Sequence, residues 1–512
     1  MSLCVLAAAL ALPPPPRIAV IGGGIGGAAS AHFLSKQIPG ARIVIFERES
    51  TVGGRLRHIE HDGVHVELGG TFINRRLNPH MAQLIDAVNA PTESLLPSLL
   101  LQDVYIYNGT VQALRLRHEH LIADGLRALA EYGLSAIKTV DESDRFFTAL
   151  EGMQARLKRG DTFDDISELL EWTGLAPYAR VSTTDLLQPK GVSPSFLSQI
   201  ISAFTNVIYT QGNAVNAFVS LSIISMFTRP SFPATTTLGN DALVRALIGS
   251  SNATLRLRSA VSAVAAGSGM VRGSRGGDRS AGFTVRTTRD EAFDLVVVAT
   301  PLESSSLAFP GLDLVPTASM RRTYVGVHVT VLTSARLNGT FFGNRPGDKP
   351  MRPESLVMAP TRSSLPRGIH FVWRVGDANT SVSAAGSTAQ RAGAAAGGEA
   401  KGEGAEGVYL IHSAQELDGS LISLAFGGSA RHVVRHYWPA AYPVEVPTVS
   451  ESARPPVILN RYNHSSGASP PLVYLNALES LESAMETSAL AANNAARLLA
   501  RWWAAHGGRG SV

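Results

Sequence analysis

Ile18-Ala-Val-Ile-Gly-Gly-Gly-Ile-Gly-Gly-Ala28 is followed by Arg42-Ile-Val-Ile-Phe-Glu47 and then by Gly53-Gly54-Arg55. Ile18 to Ile21 is a short apolar run of the kind found in a central parallel strand, buried on both faces. Gly22, Gly24 and Gly27 fill a G-x-G-x-x-G pattern, with Gly26 inside the same turn. In such a turn the first glycine permits the tight bend, the second admits a pyrophosphate, and the third lets helix and strand pack closely. The spacing predicts a helix over Ile25 to Lys36, closed by Pro39-Gly40, with its N-terminal amides aimed at the phosphates. Glu47 ends the second strand, where a carboxylate accepts hydrogen bonds from ribose hydroxyls and disfavours a 2′-phosphate. Strand, turn, helix and acid at these spacings predict a dinucleotide site.

The chain has 512 residues, enough for two or more domains' worth of core. It is 45% hydrophobic and 17% charged, an ordinary globular balance. The net charge is only +4 and the 45 basic residues are scattered, which argues against a nucleic-acid partner. Residues 1–12 are apolar, too short to span a bilayer, and suit the core of a signal peptide, with Ala9-x-Ala11 as a cleavage site and Pro13 to Pro16 as a spacer. Membrane association is compatible with this reading, but no transmembrane helix is expected. Cys4 is the one cysteine, so a mature chain would hold no disulfide, thiolate nucleophile or cysteine metal site. Sequons at Asn108, Asn252, Asn338, Asn379 and Asn463 lean towards a glycosylated endomembrane protein of the lysosome or vacuole.

The fold class expected is α/β, α+β overall: a Rossmann-like dinucleotide domain interleaved with a substrate domain of helices and an antiparallel sheet. Residues 1–16 read as leader and linker, and 17–110 as the first cofactor segment, with Asn108-Gly109 turning a hairpin over 104–111. Residues 111–235 read as helical, with Phe146-Phe147, Leu150, Met153 and Leu157 at helical spacing and breaks near Gly174 and Gly212. Residues 236–305 return to the cofactor fold, with strands near 253–264, 283–286 and 293–301 and a long Gly/Ser/Arg-rich hairpin loop over 264–282. Residues 306–455 suggest an antiparallel sheet, interrupted by an Ala/Gly/Ser/Glu tract over 383–407 that reads as a disordered insertion. Residues 456–512 form the last cofactor segment, with a helix over 484–503 opened by Met485 to Thr487.

Gly53-Gly54-Arg55 and Glu67-Leu-Gly69-Gly70 resemble the flavin amine-oxidase superfamily. That likeness implies FAD, with Gly54 and Arg55 near its phosphates, Gly69 and Gly70 beneath the flavin ring, and the backbone of Val261 at the adenine. The strand running to Ala299-Thr300-Pro301 resembles the superfamily's second FAD segment, which makes Thr300 a further candidate contact. Within the superfamily, Tyr474-Leu-Asn-Ala-Leu-Glu479, Ala491-Ala-Asn-Asn-Ala-Ala496, Trp502, Thr51 to Leu56 and Tyr209-x-Gln211 resemble the prenylcysteine oxidase family, called farnesylcysteine lyase in plants. The chain departs from the family at Thr210, where glycine is usual, and at Asn206, where arginine is common. Leu238-Gly239-Asn240 stands for the flavin-side G-G-N motif.

The resemblance implies an FAD-dependent thioether oxidase acting on prenylcysteine. Hydride passes from the allylic carbon next to sulfur to the flavin, and water adds at that carbon. The adduct collapses to cysteine and a prenyl aldehyde, and molecular oxygen reoxidises the flavin to give hydrogen peroxide. The FAD contacts implied are Gly22, Gly24, Gly26, Gly27, Glu47, Gly54, Arg55, Gly69, Gly70, Val261, Thr300, Glu479, Met485 and Glu486. Tyr209 and Gln211 are candidate substrate contacts, and Arg229 and Arg461 candidate partners of the substrate carboxylate. The Ile-, Val-, Leu-, Phe- and Met-rich stretch Phe196 to Phe227 would wall a tunnel. A farnesyl chain of about 15 carbons buried there, at ~0.8 kcal/mol each, would release on the order of 10 kcal/mol gross. No metal site and no nucleophile triad is expected, since the cofactor carries the hard step. Two rivals stand beside this reading. One is another superfamily oxidase acting on polyamines, carotenoids or tetrapyrroles, although the middle region shows no carboxylate cluster for a polyamine. The other is a prenyl-binding escort of the GDP-dissociation-inhibitor type, which shares the fold without a flavin.

Overall fold

Ile18 to Ile21 lie at the centre of an all-parallel sheet in the order β19 (Leu472–Tyr474), β13 (Leu295–Val298), β1 (Arg17–Ile21), β2 (Arg42–Phe46), β9 (Thr254–Arg256). The computed structural model describes residues 15–506 apart from 95–101, 110, 229–233, 273–278, 316–321, 349–350, 362–364, 379–404, 449–453 and 462–468. Ile18, Val20 and Leu295 to Val298 are fully buried, which explains why these strands read as unbroken apolar runs. The helices Ile25–Gln37 and Met485–His506 pack on each other against this sheet. Strands from the start, middle and end of the chain therefore build one cofactor-type core.

The phosphate turn is fixed by backbone contact. A Cβ on Gly27 would meet the Gly22 carbonyl oxygen at 2.0 Å, so only glycine lets the helix start this close to β1. A Cβ on Gly24 would have its nearest neighbour, Gly54 Cα, at 3.8 Å, an ordinary contact.

A second, seven-stranded sheet runs β18 (Arg431–Pro443), β14 (Tyr324–Ser334), β17 (Gly407–Ser413), β16 (Ile369–Asp377), β15 (Ser355–Met358), β6 (Asp103–Tyr107), β7 (Gln112–Leu116). It departs from the antiparallel expectation at one joint, because β15 and β6 pair in parallel. The hairpin expected in the first cofactor segment thus belongs to this sheet, with Asn108 closing its turn by accepting from Val111 N at 3.0 Å. The stretch 264–282 is also less loop-like than expected. β10 (Ala263–Arg272) and β11 (Arg279–Arg286) extend into it and pair with each other, and β11 also pairs with β12 (Asp290–Phe293). Backbone hydrogen bonds along the two arms hold these small residues extended. The tract expected to be disordered lies outside the described residues up to 404, and its last residue, Gly407, begins β17. The leader and Cys4 also lie outside them.

The helical layer follows its apolar periodicity. Phe146, Phe147, Leu150, Met153 and Leu157 are buried along the helix Ser135–Arg159, where Phe146 meets Phe218 edge-on at 4.9 Å. Gly174 ends one helix in the left-handed conformation, as expected. The later break falls at Thr210 rather than Gly212: Thr210 caps the helix Ser202–Tyr209 with φ +56°. A β-branched residue is unusual there, and its hydroxyl is occupied by the Tyr209 carbonyl at 2.7 Å. The final helix runs to His506, three residues past the expected end.

The clearances around the phosphate turn set a contrast that denaturant unfolding can check. Gly27→Ala is expected to cost more than about 3 kcal/mol or to abolish soluble folding, because backbone would have to move. Gly24→Ala is expected to cost less than about 1 kcal/mol.

Candidate functional site

One cavity of about 1310 Å³ links the two sheets. Ligand pockets commonly span about 300–1,000 Å³, so this one has room for a cofactor and a second ligand together. At one end lie Gly22, Gly24, Gly26, Glu47, Val261 and Thr300; midway lie Gly54, Arg55, Gly69, Gly70, Glu479, Met485 and Glu486. Of the expected cofactor residues only Gly27 is not in its wall, because Gly27 packs against the turn from behind.

Each polar residue is oriented by its own contacts. Glu47 is buried, and its carboxylate accepts from Gly23 N at 2.7 Å and Glu49 N at 2.8 Å. A carboxylate has about four acceptor positions, so two remain for a ligand. Gly53, at φ +128°, lets its loop lie on the phosphate turn, where its amide donates to the Gly23 carbonyl at 3.0 Å. Glu486 caps a neighbouring helix, accepting from His80 N at 3.1 Å, Met81 N at 2.9 Å and His80 Nδ1 at 2.7 Å. That contact fixes the start of the helix Met485–His506 at the cavity.

Arg55 points into a buried charge knot. Its guanidinium donates to Glu479, to the Ala441 carbonyl at 3.2 Å and to Ser483 Oγ at 3.2 Å. Glu479 also accepts from Asn476 Nδ2 at 2.8 Å and Tyr324 OH at 2.9 Å, and Arg322 stands 4.0 Å away. Burial alone would raise the Glu479 carboxyl, but Arg55 and Arg322 outweigh it and hold it below the usual range.

The far end is apolar. Phe204, Val207, Met226 and Phe227 come from the helical layer, and Leu356, Met358, Phe371, Trp373, Leu410 and His412 from alternate positions of β15, β16 and β17. The apolar stretch Phe196 to Phe227 therefore divides. Phe204, Val207, Ile208, Phe218, Ile223, Met226 and Phe227 reach the cavity, whereas Phe196, Leu197, Ile200 and Ile201 are plain core. His412 sits in that wall with neither ring nitrogen hydrogen-bonded, and burial pushes its pKa down to about 3, so it is neutral.

Two interacting carboxyls that the sequence reading passed over are Glu482, where the polar and apolar halves meet, and Glu445, outside the cavity wall. Glu482 lines the cavity and accepts from Tyr209 OH at 3.2 Å. Burial pushes its pKa up to about 7, against opposing hydrogen bonds from Ser222 and Tyr209. Glu445 is held far above its ordinary range by burial and then by repulsion from Glu482 and Glu479, and it accepts from Ser483 N at 3.0 Å. The spacing Glu479-Ser-Leu-Glu482 was the available signal for one of them.

The substrate candidates separate. Tyr209 is in the wall. Gln211 is not: its amide donates to the Pro443 carbonyl at 2.9 Å and accepts from Glu445 N at 2.8 Å, positioning the segment that carries Glu445. Arg461 is exposed beside Asp313, at 3.5 Å, away from the cavity wall. Arg229 lies outside the described residues.

The model of the family described as prenylcysteine lyase matches residues 117–509, and that of an NAD(P)-binding Rossmann-like domain matches residues 20–88. The chain belongs to the prenylcysteine lyase family. It is 28% identical over 505 residues to prenylcysteine oxidase 1 of Homo sapiens, covering 96% of this chain and 90% of the relative. It is 23% identical over 510 residues to farnesylcysteine lyase of Arabidopsis thaliana, covering 95% and 88%. Among solved structures it is similar in fold to cyclohexylamine oxidase from Brevibacterium oxydans IH-35A, with a TM-score of 0.55, 15% identity and 95% and 99% of the two chains covered. This prenylcysteine lyase family member is an oxidoreductase, and its Rossmann-like segment and amine-oxidase fold imply a flavin-type cofactor.

Glu482 gives a thermodynamic test. A carboxyl raised to about 7 from 4.5 binds more protons folded than unfolded, so it destabilises the protein as pH rises from about 5 to 7 and fully above that. Glu482→Gln is expected to stabilise by roughly 1–3 kcal/mol at pH 8 and by much less at pH 5, measured by denaturant unfolding at both.

Proposed function

We propose that this protein oxidises the thioether of a prenylcysteine, using FAD, oxygen and water, and releases cysteine, a prenyl aldehyde and hydrogen peroxide. The observation that carries the proposal is the continuity of one cavity from a phosphate-binding turn to an apolar chamber, in a chain of this family. The residues fit FAD: Gly24 leaves its side of the turn open, Glu47 has acceptor positions in reserve, and a helix N-terminus faces the cavity at Met485. When bound, the cofactor would accept hydride from the carbon next to sulfur and return the electrons to oxygen.

The chain's own residues do the rest. The Gly22–Gly27 turn and the helix behind it would hold the pyrophosphate, Glu47 the ribose, and the Val261 backbone the adenine. Gly69 and Gly70 would lie beneath the ring, with the amides opening the helix at Met485 near its polar edge. The chamber around Phe204, Met358 and Trp373 would exclude water from the prenyl chain and orient the sulfur end towards the polar junction. Glu482, held by hydroxyls and titrating near neutrality, is suited to take the proton of the water that adds next to sulfur. The apolar leader and the sequons, of which Asn252 is exposed at a turn, support a lysosomal or vacuolar endomembrane location.

Purified protein is expected to carry flavin absorbance and to convert farnesylcysteine into aldehyde and peroxide in equal amounts. Colourless protein that bound farnesylcysteine without turnover would instead establish an escort, and turnover of spermine in preference would establish a polyamine oxidase. Glu47→Ala is expected to weaken FAD binding about tenfold or more, followed by flavin fluorescence. The pH–rate profile should show an apparent pKa near 7 that disappears in Glu482→Gln.

A further inference from the structure

The helix Leu121–Tyr132 is turned inside out. Its buried side carries two anchored polar groups beside Ala128: Asp124 binds Arg117 through both carboxylate oxygens, at 2.9 and 2.8 Å, and Tyr132 OH donates to Gln199 Oε1 at 2.9 Å. Its outer side is aliphatic, with Leu121, Ile122, Leu126 and Leu129 exposed by 54%, 83%, 62% and 46%. The next helix continues the patch across Gly133 with Leu134 and Ile137, exposed by 57% and 63%. Of the fifteen large hydrophobic side chains exposed among the described residues, seven fall within 121–140. Single exposed apolar residues are ordinary, but a contiguous set marks a surface that something else covers.

We propose that this helical elbow docks the protein on a lipid bilayer by inserting its aliphatic side chains among the acyl chains. Three observations select a bilayer over a protein partner. The exposed set is leucine, isoleucine and valine with no aromatic residue, whereas protein interfaces concentrate their binding on Trp, Tyr and Arg. Residues 117–140 carry Arg117, Arg127 and Lys138 against Glu119, Asp124 and Glu131, a formal balance of zero that points to insertion and not to charge pairing. The inner face of the same helix, through Ala128 and Tyr132, packs on a cluster whose members Val104, Phe204 and Met358 also line the cavity. The elbow is thus one layer of side chains from the apolar chamber. This last link rests on the prenylcysteine reading: a substrate with a prenyl chain partitions into membrane, and the enzyme would collect it there.

The test uses the full chain and phosphatidylcholine vesicles without anionic lipid. Cosedimentation is expected, with little change between low and high salt. The double variant Ile122→Ser/Ile137→Ser is expected to lower partitioning about tenfold or more, with unchanged unfolding, since both side chains are exposed. Leu424→Ser, at a site 60% exposed elsewhere on the surface, is expected to bind like the parent. Failure of the parent chain to bind these vesicles overturns the proposal. So does binding that needs anionic lipid and vanishes in salt, or a dimer in sedimentation equilibrium that the double variant dissolves. Farnesylcysteine turnover is measured separately. Vesicle binding without turnover would keep the docking face and reject the substrate, and turnover without vesicle binding would do the reverse.

Discussion

A carboxylate taken out of water has to be answered by cations and hydrogen-bond donors, and Glu479 is answered from three separate stretches of the chain. Arg55 comes from the first cofactor segment, Arg322 from just before β14 and Tyr324 from its first position, and Asn476 from the same turn as Glu479. Arg55 also reaches the Ala441 carbonyl on β18. The knot therefore ties the parallel sheet to the seven-stranded sheet at the midpoint of the cavity. Removing one partner from such a buried arrangement typically costs about 3–5 kcal/mol, because the other charge is left stranded. The relative placement of the two sheets, and with it the shape of the cavity between them, depends on this contact.

What the sequence made legible was local. The turn at Gly22, the acid at Glu47 and the strand into Thr300 each declare themselves through a few residues at fixed spacing, and the structure gathers them at one end of the cavity. Alternation and helical periodicity likewise marked Phe146 to Leu157 as a buried face. What escaped was long-range. Nothing within Asp103–Leu116 tells that β6 pairs in parallel with β15, some 250 residues later in the chain, instead of staying with the preceding cofactor segment. The cavity floor was hidden for the same reason. Phe371, Trp373, Leu410 and His412 become one surface only when β16 and β17 are in register. Gln211 shows the converse: its place in a family-like motif suggested a substrate contact, yet both ends of its side-chain amide are engaged by Pro443 and Glu445.

The inverted helix at 121–132 escaped because a helical wheel reports which face is apolar and not which face is buried. The usual assumption puts leucines inside. Here Asp124 is inside because Arg117 pairs with it, and the leucines remain outside. Only the tertiary placement distinguishes a core helix from one that presents its apolar face outward.

Three carboxyls within one neighbourhood show how environment sets chemical state from a single side-chain type. Glu479 and Glu482 line the cavity and Glu445 lies outside its wall, and desolvation pushes each of the three upward. Glu479 has two arginines and stays ionised. Glu445 has one backbone amide and two acidic neighbours, and burial followed by their repulsion holds it well above the usual carboxylate range. Glu482 has hydroxyl partners only and lies between them, close to neutrality. Mutual repulsion reinforces the ordering, because an ionised Glu479 makes ionisation of Glu445 harder still. Of the three, only Glu482 can exchange a proton near neutral pH at little energetic cost. It is also the one that combines a place in the cavity wall with a hydrogen bond to Tyr209, at the point where the polar half of the cavity gives way to the apolar one.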